Sequence, residues 1–291
     1  MNELYTLLIQ PFYDYGFMRR ALVSCLCIAI SGAPLGVFLV LRRMTLVGDG
    51  MAHAILPGVS LAFLFAGVSL WHMTIGGLIT GLQVAIGAAL LTRHTPIRED
   101  ASFTGIYLLS LATGVLIISS KGSNVDLLHV LFGNVLAIDP DTLQMVLMIT
   151  SFSLVALSIM YRGLIIECYD PGFMKAVRGK GSLYHQLFLA LLVFNLVAAF
   201  QAMGSMMALG LMILPAIAAR LWARNIDHMI IAALIIAILS TIGGLLWSFH
   251  TDMASGPTIV IVIGIIYAIS ILFGPTGGVF WKLLPHKHLS H

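Results

Sequence analysis

Long apolar runs separated by short polar breaks take up almost the whole chain. Nine runs stand out, near residues 17–41, 47–69, 74–92, 102–120, 143–161, 184–203, 205–222, 229–249 and 257–275. A helix rises 1.5 Å per residue, so about 20 apolar residues cross a hydrocarbon core of about 30 Å. The pattern therefore predicts an all-α polytopic membrane protein with about 8–9 transmembrane helices. Residues 121–142 (KGSNVDLLHVLFGNVLAIDPDT) are too polar to span and read as an interfacial or re-entrant helix. No soluble domain, linker or repeat interrupts the series, so residues 1–291 are expected to form a single membrane domain. Within it, 165–186 is the longest polar insertion between spans, and 276–291 is a cytoplasmic tail.

Composition agrees with the pattern. Of the 291 residues 59% are hydrophobic and 9% charged, where a soluble domain carries roughly 25% charged; the mean hydropathy is +1.02. Disorder, nucleic-acid binding and an ordinary soluble enzyme are excluded. The net charge of +3 bears on loop orientation instead, because cytoplasmic loops collect Lys and Arg. Alternating the nine runs puts Arg42, Arg43, Arg93, Arg98, Arg162, Lys175, Arg178, Lys180, Arg220, Arg224, Lys282 and Lys287 on one side, taken as the cytoplasm together with the C-terminus. Arg19, Arg20 and Lys121 fall on the other side. Arg19 and Arg20 fit least well, and a re-entrant first run would reduce the count to eight. Cys25 and Cys27 lie two apart in an apolar run and Cys168 stands alone, so no disulfide framework or thiolate metal site is expected. MNELYTLLIQPFYDYGF lacks a basic leader and a cleavage site, so no removable signal peptide is read.

An ionised carboxylate at the bilayer centre costs about 2.5–3.5 kcal/mol, which makes acids inside apolar runs the place to seek function. Glu99, Asp100, Asp126, Asp139, Asp141, Glu167, Asp170 and Asp227 are assigned to polar breaks, and Asp252 to an outer edge. Asp49 is the outlier. In VGDGMAHAILPG, Asp49 and His53 are four apart and share one helix face. A carboxylate and an imidazole so placed can each give one donor atom to a divalent cation. The competing reading is structural, with Asp49 capping a helix start and His53 making one interhelical hydrogen bond. Gly48, Gly50, Gly58 and Pro57 predict a helix that breaks or packs closely here.

The remaining polar residues carry less. His72 and His250, near the outer face, are read as interfacial rather than as entry ligands, His129 as a candidate for the same outer entrance, and His286, His288 and His291 as a loose tail. Met203, Met206, Met207 and Met212 are read as adaptable packing, and Gly204, Gly210, Ala218, Ala219, Gly243 and Gly244 as close helix contact. Within 165–186, Pro171 to Arg178 can form a short helix capped by Asp170. Such a helix either docks a soluble partner or is an ordinary interfacial loop. No P-loop, HExxH or GxSxG pattern occurs, so the energy for active transport would come from a partner or an ion gradient.

LRRMTLVGDGMAHAILPGVSLAFL, residues 41–64, resembles the signature of the metal-ion ABC permeases that import zinc, manganese or iron(II). The basic pair Arg42 and Arg43 precedes an apolar run and then Gly48, Asp49, His53, Pro57 and Gly58. VDLLHVLFGNVLAI (125–138), YDPGFMKAVRGKG (169–181), FQAMGSMMALGLMILPAIAARLW (200–222, with Pro215 and Arg220) and DMASGPTIVIVIGI (252–265) follow in the family's order. The chain departs from the family at Gly50, Met51 and Ala52, where alanine, leucine and serine are common, and at Asn134, where an acid is common.

The resemblance implies one compact ABC-importer permease domain, working as a homodimer in the bacterial inner membrane and surrounded by lipid. It implies ATPase subunits below, an extracytoplasmic metal-binding protein above, and no nucleic acid. The chain would then be a transport subunit rather than an enzyme, with no permanent cofactor. The metal site is carried over to Asp49 and His53, and coupling to the ATPase to Asp170, Pro171, Phe173, Ala176 and Gly179. One carboxylate and one imidazole suit zinc, manganese or iron(II). With ten histidines and no further acids beside the site, zinc is the expectation and manganese or iron(II) the alternative. The rival classes are a gradient-driven transporter that needs no ATPase and a scaffold subunit without a pathway.

Overall fold

A computed structural model of the chain describes residues 8–67, 69–96, 99–120, 135–169 and 181–280. Among the described residues every regular element is helical: α1 Gln10–Asp14, α2 Gly16–Leu41, α3 Thr45–Ala54, α4 Leu56–Ala66, α5 Leu70–His94, α6 Glu99–Ser120, α7 Pro140–Tyr169, α8 Gly181–Met203, α9 Ser205–Arg220, α10 Ile226–Thr251 and α11 Ser255–Phe273, with a 3-10 turn at Val135–Ala137. Each of the nine apolar runs lies on helix, the second on the pair α3 and α4. Among the described residues seven stretches are long and apolar enough to cross a membrane, and Ala101–Ile117 and Ser205–Arg220 are apolar but shorter. The 26-residue α2 is one of the seven, so the first run is a full-length helix. Arg20, one of the two residues that argued otherwise, donates from Nε to the carbonyl of Ile138 at 2.9 Å.

The helix ends follow local chemistry. α2 closes in a Schellman turn: Met44 N–H bonds Leu39 O at 2.9 Å and Arg43 N–H bonds Val40 O at 3.2 Å. Arg43 occupies the left-handed position with φ 58°, where glycine is usual. Gly67 at φ 67° ends α4, and Gly204 at φ 81° makes the corner between α8 and α9.

α7 differs from the expected span of 143–161. It begins at Pro140, where proline's missing N–H costs nothing, with Asp139 Oδ1 accepting from Thr142 N–H at 2.9 Å. It runs on through IIECY to Tyr169, because Glu167 is paired rather than solvated. The polar stretch 121–142 is therefore divided, with 135–137 in the 3-10 turn and 140–142 on α7. The insertion 165–186 shrinks from both sides, since 165–169 belong to α7 and 181–186 to α8. Asp170, Pro171, Phe173, Ala176 and Gly179 lie outside the described residues, as do His129, Asn134, His286, His288 and His291.

Hydrogen bonds from Thr142, its hydroxyl foremost, hold the Asp139 carboxyl below the usual carboxylate range against a modest desolvation cost. Asp139→Ala is expected to cost about 1 kcal/mol of stability, read as melting of the protein in detergent. A depressed folded pKa gives stabilisation that is complete above the unfolded value and lost as pH falls through the folded one. Wild type and variant should differ at neutral pH and converge below about pH 4.

α2 forms the middle of the molecule. It packs against α7, α8, α9 and α10, with α3 to α6 gathered on one flank and α9 to α11 on the other. Lipid tails are as apolar as leucine, so burial alone gives these helices little, and close van der Waals contact holds them instead. A Cβ on Gly36 would overlap Met212 O and lie 2.9 Å from Met212 C, one on Gly210 would lie 2.8 Å from Val260, and one on Gly244 2.5 Å from Ile259 Cα. Gly243 is roomier, its nearest neighbour being 3.7 Å away. Met203, Met207 and Met212 are buried in the apolar core, and Met206 is exposed.

Candidate metal site

The Schellman turn at Arg42–Met44 reverses the chain and starts α3, whose faces are then assigned by packing. A Cβ on Gly50 would lie 2.7 Å from the rings of Phe103 and Tyr107 on α6, and one on Gly48 3.3 Å from Leu39 and Ile213. Met51 and Ala52 are buried. The face left uncovered carries Leu46, Asp49 and His53, at helix spacings of three and four.

On that face His53 Nε2 lies 3.9 Å from Asp49 Oδ1, with the side chains 31% and 55% exposed respectively. The separation is too long for a hydrogen bond, so neither group consumes the other's donor atoms. Two donors each about 2.1 Å from one tetrahedral ion sit about 3.4 Å apart, so a small side-chain rotation closes the pair on a cation. The cap alternative does not fit the geometry: α3 begins at Thr45, so Asp49 lies inside the helix. Among the described residues no group of three or more His, Cys, Asp or Glu side chains is arranged to hold a metal ion, so the described residues bring two donors to the position.

Two residues beyond His53 the helix is interrupted at Ile55, between α3 and α4. Pro57 has no N–H to return to the His53 carbonyl. Neighbouring hydroxyls attend the loosened turn, Ser110 Oγ donating to Ala54 O at 3.2 Å and Thr80 Oγ1 lying 3.3 Å from Ile55 O, as polar side chains do beside helix breaks in lipid. Below it, α4 and α5 meet backbone to backbone. A Cβ on Gly58 would overlap Gly76 O and lie 2.5 Å from Gly76 C, and one on Gly114 would lie 3.0 Å from Pro57 N. The segment therefore both breaks and packs closely.

At the other end of α3 lies a cluster that sequence reasoning missed. Arg42 Nη2 donates to Glu167 Oε2 at 2.9 Å, with side-chain exposures of 8% and 11%. Arg42 Nη1 is 3.1 Å from His185 Nδ1, and Nε is 3.4 Å from Cys168 Sγ. The guanidinium lies over the Phe188 ring, 4.8 Å from its centroid. The sequence places Glu167 in a polar break and Arg42 in the motif's basic pair, with nothing local to join them. The basic pair of the motif was the available signal.

The outlying histidines stay peripheral. His72 is exposed and bonded to Ser69 Oγ through Nδ1 at 2.7 Å, and exposed His250 stands edge-on to Phe249. Cys25, Cys27 and Cys168 form no disulfide.

Comparison with known proteins adds a second line. The ABC 3 transport family matches residues 14–274. The manganese transport system membrane protein MntC of Halalkalibacterium halodurans is 31% identical over 289 residues, covering 98% of each chain. The chelated iron transport system membrane protein YfeD of Yersinia pestis is 31% identical over 273 residues, covering 94% of this chain and 90% of that one. The solved structure of PsaBC from Streptococcus pneumoniae in complex with Fab superposes with a TM-score of 0.81 at 29% identity, over 92% of this chain and 95% of that one.

Proposed function

The chain belongs to the ABC 3 transport family, the metal-ion ABC importer permeases, and from that premise we propose that it carries manganese into the cell through a pathway lined by Asp49 and His53. The observation that carries this reading is the carboxylate–imidazole pair open on the uncovered face of α3, 3.9 Å apart in an otherwise apolar helix. An acid kept in a span despite its cost marks a pathway by default.

Manganese is preferred over zinc for two reasons. The relatives at 31% identity are named for manganese and iron. The histidine count that favoured zinc does not become a histidine-rich centre among the described residues. An oxygen donor with one imidazole and no thiolate suits manganese and iron(II), and iron(II) is the competing cargo.

In the mechanism, an extracytoplasmic binding protein delivers the ion to the outer face. Asp49 supplies the negative charge that offsets dehydration, and His53 adds a neutral donor that fixes the ion's position. Two donors hold it weakly enough to release, with water or the same face of a second copy completing the shell in a homodimer. ATPase subunits docked on the cytoplasmic loop at 170–181 shift the population from outward-open to inward-open, since the ion supplies only its differential affinity for the two states. The C-terminus is cytoplasmic in this arrangement, and residues 1–291 act as one domain.

The test is uptake of radioactive manganese, iron(II) and zinc by cells lacking their own importers and supplied with the three-component system. Manganese uptake that disappears with an ATPase-dead partner is the expected result. Uptake that survives ATPase inactivation would favour a gradient-driven carrier, and zinc uptake alone would restore zinc as the cargo.

A further inference from the structure

We propose that Arg42 is a positioning residue that joins both roots of the ATPase-docking loop to the turn from which the metal-bearing helix starts. The proposal rests on the reading above and adds the path between its two ends. Glu167 and Cys168 lie in the last turn of α7, which ends at Tyr169, and His185 and Phe188 lie in the first turns of α8, which begins at Gly181. Arg42 reaches all four from the closing turn of α2, three residues before α3 begins. A displacement of either loop root is therefore delivered to the residue that sets where α3 starts.

The chemistry selects arginine. Each of its three nitrogens faces a different partner, at 2.9 Å (Glu167), 3.1 Å (His185) and 3.4 Å (Cys168), while its flat face rests on Phe188. The guanidinium has no acceptor atom, so His185 Nδ1 is the acceptor and the ring proton resides on Nε2. A lysine keeps the charge and can keep Glu167, but a single ammonium cannot satisfy three directions and a stack at once. A buried ion pair contributes little net stability over an apolar pair of the same volume, and its best-attested use is to fix register. Here the register fixed is that of α7 and α8 against the α2–α3 corner. Arg43 at φ 58° holds that corner in a conformation that few side chains adopt.

A clamp that serves folding alone and a coupling element differ in what their loss does to transport per ATP. The experiment uses the complete complex of this chain, its ATPase and its binding protein in liposomes, comparing wild type with Arg42→Lys and Glu167→Gln. Copurification with the ATPase, ATP hydrolysis and manganese uptake are measured together. Both variants are expected to assemble and hydrolyse ATP while uptake per ATP falls about tenfold, within the usual range for coupling between sites. Unchanged uptake per ATP in both would overturn the proposal. So would a parallel fall in assembly, hydrolysis and uptake in Arg42→Lys, which would make the cluster a structural clamp. If Glu167→Gln does not fold, Arg42→Lys decides alone, and failure of both to fold also overturns the proposal. Absence of ATP-dependent uptake in wild type would count against the underlying functional reading instead.

Discussion

Asp49→Asn is expected to abolish manganese uptake while leaving the protein folded and its ATPase bound. Asparagine has nearly the same shape, so the packing of α3 against Phe103, Tyr107 and Ile213 is unaffected. The Asp49 side chain is 55% exposed and its one polar approach among the described residues is the 3.9 Å contact with His53, so stability loses little. The negative charge is lost, and a neutral amide beside one imidazole offers a divalent cation too little to replace its water. Losing a second-shell partner costs a metal site roughly 10–100-fold, and a ligand carrying the only charge should cost at least that. His53→Ala removes the neutral donor and should reduce uptake less. Uptake assays on membranes with equal amounts of each variant, beside melting curves of the purified proteins, separate the two effects. Normal uptake by Asp49→Asn would end the metal-site reading. Equal losses of melting temperature and uptake would return both residues to a structural role.

Gly58→Ala is expected to be the most damaging glycine-to-alanine change among the described residues. The added carbon would overlap Gly76 O and come within 2.5 Å of both Gly76 C and Thr80 Oγ1. Backbone stands on the far side, and no rotamer change relieves it. Overpacking typically costs 1–3 kcal/mol and more when backbone must move, so α4 and α5 must separate and the turn under His53 moves with them. Folded yield and melting temperature in detergent should both drop, and uptake with them. Gly264→Ala on α11 is the control, because a Cβ there meets nothing within 4 Å, and helix propensity alone should leave it as stable as wild type or slightly more so. A Gly58→Ala protein that melts with the control would show that α4 and α5 tolerate separation.

The helices were legible because a span in lipid has to be both long and apolar; all nine runs lie on apolar helices, but those at 102–120 and 205–222 fall on stretches shorter than the other seven. Their ends were less legible. Polar residues of IIECY and of Pro140–Thr142 look like loop until Glu167 finds Arg42 and Asp139 finds Thr142. Asp49 and His53 could be singled out as a candidate pair because the signal is local, four residues apart on one turn, with an acid where acids are costly. The Arg42 cluster could not, because its partners lie 125 to 143 positions away in the chain, and no periodicity reports a contact of that range. His72 and His250, read from the sequence as interfacial, are exposed, the first beside Ser69 and the second beside Phe249.

The proline one turn below His53 has a mechanical consequence. α4 and α5, pressed backbone to backbone at Gly58 and Gly76, can travel only as a stiff plank. The weak joint is at Ile55, where hydroxyls of Ser110 and Thr80, rather than backbone amides alone, attend the carbonyls. An amide is fixed by its peptide plane, but a hydroxyl swivels and follows its acceptor. The short arm bearing Asp49 and His53 can therefore tilt against the plank without stranding a carbonyl in lipid. The compliance of the helix is thus concentrated two residues from His53, so a small push at the α2 corner would tilt the segment that carries Asp49 and His53 against α4 and α5.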